Sequence, residues 1–216
     1  MEWAFLVIIL IFSVIFHEIS HGAMANALGD NTAKQEGRLT LNPLPHLDPI
    51  GSFFLPLLLI LAKSPFLIGW AKPVPINPYN LRNPKWDMAK IALAGPASNF
   101  LIAVSFSFLV RFFSLPEKFL IIFSVIIFLN ILLCIFNLVP LPPLDGSKIL
   151  FAFLPQSLHQ VRIFMEQFSL FLLLAFLFLT AQDIIPLFYV IFSIFQILAG
   201  PQAVATLISF MGFLNS

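Results

Sequence analysis

The sequence predicts an all-α polytopic membrane protein of about six apolar helical segments, and three observations carry that expectation. Of its 216 residues, 60% are hydrophobic and only 10% are charged, against about 25% charged in an ordinary soluble domain. The apolar residues fall in blocks near 3–28, 51–69, 88–113, 118–138, 163–181 and 184–213, most of them near the ~20 residues a helix needs to cross a hydrocarbon core. Runs such as 120–133 and 168–179 are nearly continuous rather than alternating, which favours helices over a transmembrane barrel.

Block 3–28 runs apolar to Phe16 and lacks the basic leader and small-residue cleavage site of a signal peptide, so it is expected to stay attached as the first span. Residues 31–50 hold an alternating portion, Gln35 to Leu41, followed by a Pro-rich run, which predicts a small strand or hairpin at the membrane surface. Block 51–69 is interrupted by Pro56, Lys63 and Pro65 and is expected to re-enter or lie at the interface rather than cross. Residues 72–86 carry four prolines and read as an extended surface loop. No internal repeat is visible, so 1–216 reads as a single membrane-embedded domain, with a core at about 3–155 and peripheral helices at about 156–216.

The formal net charge is +1, and without a basic stripe or basic-aromatic interleaving a nucleic-acid partner is excluded. The single cysteine, Cys134, reads as a small buried apolar residue. The 27 phenylalanines read as lipid-facing or core-packing side chains.

Chemistry concentrates at Phe16-His17-Glu18-Ile19-Ser20-His21, inside the first apolar block. Three ionisable groups within five positions at membrane depth require a compensating partner, and a metal ion supplies one. Residues four apart share a helix face, so His17 and His21 can present imidazole nitrogens to one ion, with Glu18 beside it as general base. A catalytic zinc site needs a third protein ligand and an open position. Outside the motif the chain offers two histidines, five aspartates and four glutamates, and Asp145 is the best placed of them. It follows the proline-broken stretch Asn137 to Leu144, and irregular backbone at membrane depth is tolerated only where protein or a water-filled cavity satisfies it. Asn137 could donate an amide hydrogen bond to a substrate backbone or a developing oxyanion. Gly95 and Asn99, four apart, either line the site or form a small-residue face for helix packing, and Asn99 could simply bond a neighbouring helix. His46 reads as a loop or interfacial residue and His159 as solvated, while Asp30 and Asp183 read as helix-end residues.

If His17 and Asp145 bind one ion, the helices before them end at similar depth and run in the same direction. Only an odd number of crossings fits between them, and 88–113 is the natural one. That topology gathers Lys34, Arg38, Lys72, Arg82, Lys85, Lys90, Lys148 and Arg162 on one side and leaves Arg111 and Lys118 opposite. The positive-inside rule then places the 29–50 and 70–87 loops in the cytoplasm.

Three separated stretches together resemble the site-2 protease family of intramembrane zinc metalloproteases: His17-Glu18-Ile19-Ser20-His21, Ala94-Gly95-Pro96-Ala97-Ser98-Asn99, and Asn137 through Asp145-Gly146. The resemblance implies one Zn2+ held by His17, His21 and Asp145, Glu18 as base, and Asn137 as a substrate or transition-state contact. It implies an endopeptidase acting on transmembrane protein substrates within the bilayer, here in a prokaryotic cell membrane. The PDZ and nucleotide-binding regulatory domains common in the family are not seen, so the chain resembles a minimal form. The competing readings are a metal transporter using the same ligands and a catalytically dead binding protein. A transporter should show several ligand sets along a path, and a dead protein should have lost Glu18 or Asp145.

Overall fold

The structure, a computed structural model, describes residues 2–61, 69–182 and 185–214, and every described regular element is helical. In chain order the α-helices are α1 (Glu2–Ala27), α2 (Thr32–Gln35), α3 (Leu55–Leu61), α4 (Pro84–Phe112), α5 (Glu117–Leu138), α6 (Asp145–Phe153), α7 (His159–Gln167), α8 (Ser169–Gln182) and α9 (Ile185–Leu214). Four described stretches are long and apolar enough to cross a membrane: Phe5–Ala27, Pro84–Phe112, Glu117–Leu138 and Leu187–Gly212. At 1.5 Å per residue the shortest of these rises roughly 33 Å, enough for a hydrocarbon core of about 30 Å.

α1 ends where the Asp30 N–H reaches back to the Ala25 carbonyl at 2.9 Å across Gly29, a Schellman-type closure that carries the chain off the helix. α4 buries Ala92, Gly95, Pro96, Asn99, Ala103 and Ser107 along one face. With lipid outside, hydrophobicity alone does not drive helices together, and small residues that allow close backbone approach serve instead. α4 packs on α1 and α5, and α5 packs on α9 around Val125, Ile127, Ile131, Ile191 and Phe195. The contacts His17–Asn99 and His21–Ile91 advance along α1 while receding along α4, so these two helices are antiparallel. α5 returns through a short turn and meets Ser13 of α1 through Asn130, so α1 and α5 run the same way with α4 as the crossing between them.

One expectation is corrected. Among the described residues there is no strand: Gln35 closes α2, Gly37 turns the chain at φ 65°, and the Arg38 N–H bonds the Ala33 carbonyl at 2.9 Å. These backbone groups are satisfied within the loop, which leaves no free ladder for a partner strand. Of the six apolar segments expected, with 51–69 not crossing, four are described as helices long enough to cross, and block 163–181 is bent by 73° between α7 and α8. The break falls where composition changes, from the polar turn of His159, Gln160, Arg162 and Glu166 to the apolar run after Ser169. Counted as one bent span, the pair brings the total to five. Block 51–69 begins as a wide turn over Pro49–Phe54 and the short α3; residues 62–68, with Lys63 and Pro65, and also Asp183, lie outside the described residues. α9 is broken at Gly200, φ 85°, ahead of Pro201.

Candidate active site

The site is assembled by α1, α4 and the start of α6. His17 and His21 lie one turn apart on α1 and are 6% exposed, as is Asp145 at the first turn of α6. Asp145 Oδ2 stands 3.1 Å from His17 Nε2 and 3.0 Å from His21 Nε2. The other nitrogen of each ring is already committed. His17 Nδ1 lies 2.6 Å from Asn99 Oδ1, and His21 Nδ1 lies 2.7 Å from the Ile91 carbonyl. Oxygen acceptors at both positions place the proton on Nδ1 and turn the Nε2 lone pair of each imidazole toward Asp145.

That arrangement is a test of whether a metal fits. Three electron-pair donors converge with no hydrogen left to share among them, which is unfavourable unless a cation sits between. Donors bound to tetrahedral zinc at about 2.0–2.1 Å stand about 3.3 Å from one another, close to the separations found. Glu18 completes the group, its carboxylate lying with the two imidazole nitrogens within 4.8 Å of one another. The Lys148 ammonium, 3.1 Å from Asp145 Oδ1, adds a positive charge beside the carboxylate, and a metal takes that group in its ionised form.

Two glycines make the approach possible. A Cβ on Gly95 would stand 2.4 Å from His21 Nε2 and 2.6 Å from His17 Cε1, so α4 presents bare backbone to both rings. A Cβ on Gly146 would stand 2.3 Å from the Leu138 carbonyl oxygen, so the first turn of α6 rests directly on the end of α5. This seat fixes where Asp145 points.

Asn137 has turned its amide onto its own helix, donating to the Leu133 carbonyl at 2.9 Å. His46 is buried at 2% exposure inside the 38–51 loop, where its Nε2 donates to the Thr40 carbonyl at 2.9 Å, and His159 is exposed at the start of α7. Several residues carry more than their sequence context suggested. Asn130 accepts from Asn99 Nδ2 at 2.8 Å and donates to Ser13 Oγ at 3.0 Å, extending the His17 contact into a buried amide chain. A lone amide within an apolar run was the available signal. Lys148 reaches Asp145 Oδ1 at 3.1 Å. Val74, in the Pro-rich loop, donates its N–H to Glu18 Oε2 at 3.0 Å, and no spacing rule points to it.

Comparison with known proteins gives the chemistry a family. The model of peptidase family M50 matches residues 114–180. "Putative zinc metalloprotease YwhC" of Bacillus subtilis is 40% identical over 164 residues, covering 72% of this chain and 71% of that protein. The chain belongs to peptidase family M50, the site-2 protease family. Two relatives named "Putative zinc metalloprotease Rip2" also match this M50 chain. The one from Mycolicibacterium smegmatis is 34% identical over 62% of the chain and 51% of its own length. The one from Mycobacterium tuberculosis is 30% identical over 76% of the chain and 63% of its own length. No solved structure matches it. As a member of M50, the protein is a multi-pass membrane zinc metalloendopeptidase with Zn2+ as its cofactor.

Proposed function

We propose that the protein cleaves peptide bonds within or next to transmembrane helices of other membrane proteins, with zinc held by His17, His21 and Asp145. The observation that carries this is the convergence of Asp145 Oδ2 on both Nε2 atoms at 3.0–3.1 Å, with each Nδ1 already bonded elsewhere. His17 stands ten residues before the end of α1, about 15 Å along the axis at 1.5 Å per residue, which supports hydrolysis below the membrane surface.

When bound, zinc supplies Lewis acidity, polarising a carbonyl and lowering the pKa of a water to about 7. Glu18 takes a proton from the attacking water and returns it to the leaving nitrogen, so that water is added across the amide bond and two chain ends are released. Asn137 can serve as a substrate or oxyanion donor once its amide turns away from the Leu133 carbonyl. Gly95 and Asn99 line the site. A helical substrate has its amides paired internally, so it must unwind locally before attack. The 35–41 loop turns on itself, the Gly37 and Arg38 N–H groups bonding the Lys34 and Ala33 carbonyls.

The whole of 1–216 acts as one catalytic unit in this proposal, with a core at about 3–155 and peripheral helices beyond. Block 51–69 re-enters or lies at the interface, in keeping with the seven residues of α3. The 29–50 and 70–87 loops face the cytoplasm. In support, Arg38 bonds the Lys72 carbonyl at 2.8 Å and Lys85 the Leu154 carbonyl at 3.4 Å, which gathers basic residues at one end of the bundle. A transport function is not favoured, because among the described residues the ligand groups form one cluster.

The deciding experiment is reconstitution with a labelled single-span substrate. Glu18→Gln should keep zinc and lose cleavage, and Asp145→Ala should lose zinc. Cleavage undiminished by Glu18→Gln, or normal zinc content in Asp145→Ala, would overturn the assignment.

A further inference from the structure

We propose that residues 72–77 form a strap that positions the general base, with the Val74 N–H orienting Glu18 and Arg38 orienting Val74. The inference rests on Glu18 being the base. The strap has no regular secondary structure, a residue that precedes proline is pushed toward extended backbone, and Val74 is 6% exposed, its side chain against Gly22 of α1, one turn beyond Glu18 on the same helix face. Its N–H meets Glu18 Oε2 at 3.0 Å. Pro73 and Pro75 flank it, so Val74 carries the sole N–H of that tripeptide, and the proline rings hold the backbone in its extended form. With Oε2 engaged, Oε1 is the oxygen left to accept a proton, and rotation of the carboxylate is suppressed. Fixing a catalytic group in this way raises turnover rather than affinity.

The strap is clamped at both ends. Arg38 Nη2 donates to the Lys72 carbonyl at 2.8 Å and the Pro73 carbonyl at 3.1 Å, the latter belonging to the same peptide unit as the Val74 N–H. The Lys72 N–H bonds the His46 carbonyl at 2.8 Å, and the Asn77 N–H bonds Asp30 Oδ2 at 2.7 Å. Arg38 is 4% exposed, has no carboxylate within ion-pair distance among the described residues, and leaves Nε without a partner. Burying a guanidinium without a counter-ion is unfavourable, so a residue retained there for packing alone would be better apolar. Its two carbonyl contacts at one end of the strap give it a use.

The test compares Val74→Pro with Val74→Ala in the full chain, using a labelled single-span substrate in vesicles. Alanine loses the side chain and keeps the N–H; proline removes the N–H and suits an extended stretch between two prolines. Val74→Pro should have a kcat about 10–100-fold below Val74→Ala, the range typical of lost orienting contacts, with KM and zinc content equal in the two. Arg38→Gln should show the same kcat loss, with partial rescue in Arg38→Lys. A second readout needs no turnover: hydrogen exchange in the peptide spanning 72–77 should reveal one protected amide that is lost in Glu18→Ala. Equal kcat in the two Val74 variants, or a kcat loss that tracks zinc loss, overturns the strap. If Glu18→Gln itself remains active, the base assignment fails first; if it is inactive while the Val74 pair is equal, only the strap fails.

Discussion

His17 Nδ1 lies 2.6 Å from Asn99 Oδ1, a contact that joins residues 82 positions apart and leaves Nε2 as the nitrogen facing Asp145. Removing it should let the ring rotate or protonate at the wrong nitrogen. Asn99→Ala is expected to weaken zinc binding about 10–100-fold, the usual range for loss of an orienting partner, measured by competition with a chelator. Asn99→Asp still accepts from Nδ1 but loses the amide donor to Asn130, so its affinity should fall between wild type and alanine. Equal affinity in wild type and Asn99→Ala would remove this role.

Gly95→Ala tests the close approach of α4. Its Cβ would lie 2.4–2.6 Å from atoms of both imidazoles, too close for carbon. The rings cannot yield without breaking the bonds at Asn99 and Ile91, so zinc content and cleavage should both fall. Far-UV circular dichroism should stay unchanged, since the substitution favours helix. A variant with full zinc occupancy would contradict the packing described.

How much of this was legible in the sequence follows from what each signal depends on. His17, Glu18 and His21 were readable because one helical turn fixes their relation locally, and Asp145 because a carboxylate beyond a Pro-broken stretch has few uses inside a membrane. The helix over 118–138 was readable because, past Lys118, only Ser124, Asn130 and Asn137 interrupt its apolar run. The bend at Phe168 was not, since Glu166, Gln167 and Ser169 make only a brief polar interruption after the apolar Ile163-Phe164-Met165 and before the long run from Leu170. Val74 was invisible for a different reason: its contribution is a backbone N–H, which every residue but proline has. Arg38 and Asp30 resembled surface charges, and only the folded loops show them buried at 4% and 0% exposure.

Gly146→Ala should separate seating from coordination. The added methyl group meets the Leu138 carbonyl at 2.3 Å and the Val139 carbonyl at 2.5 Å, both backbone atoms that cannot swing aside. α6 must lift, at a cost of about 1–3 kcal/mol or more for overpacking, and Asp145 lifts with it. Thermal unfolding in detergent should shift down and zinc content should drop with it. A normal melting temperature with normal zinc content would show that the seat is softer than its geometry.

Asp30 gives a prediction for pH. Its carboxylate is fully buried and accepts from Thr32 N–H at 3.1 Å, Thr32 Oγ1 at 2.5 Å, Asn77 N–H at 2.7 Å and Asn80 Nδ2 at 2.8 Å. Burial pushes the carboxyl up, but the hydrogen bonds from Thr32, Asn80 and Asn77 outweigh it and hold the group below its ordinary value. A depressed carboxyl stabilises the fold while it is ionised, so its contribution is complete above the unfolded value of about 3.9 and is lost as pH falls through that value toward the depressed one. Asp30→Asn places an amide where only acceptors fit and should cost about 1–3 kcal/mol at pH 7. Because wild type loses its advantage in acid and the variant has none to lose, the gap between their unfolding curves should narrow from pH 5 to pH 3. A gap that stays constant across that range would mean that Asp30 does not titrate as its four donors require.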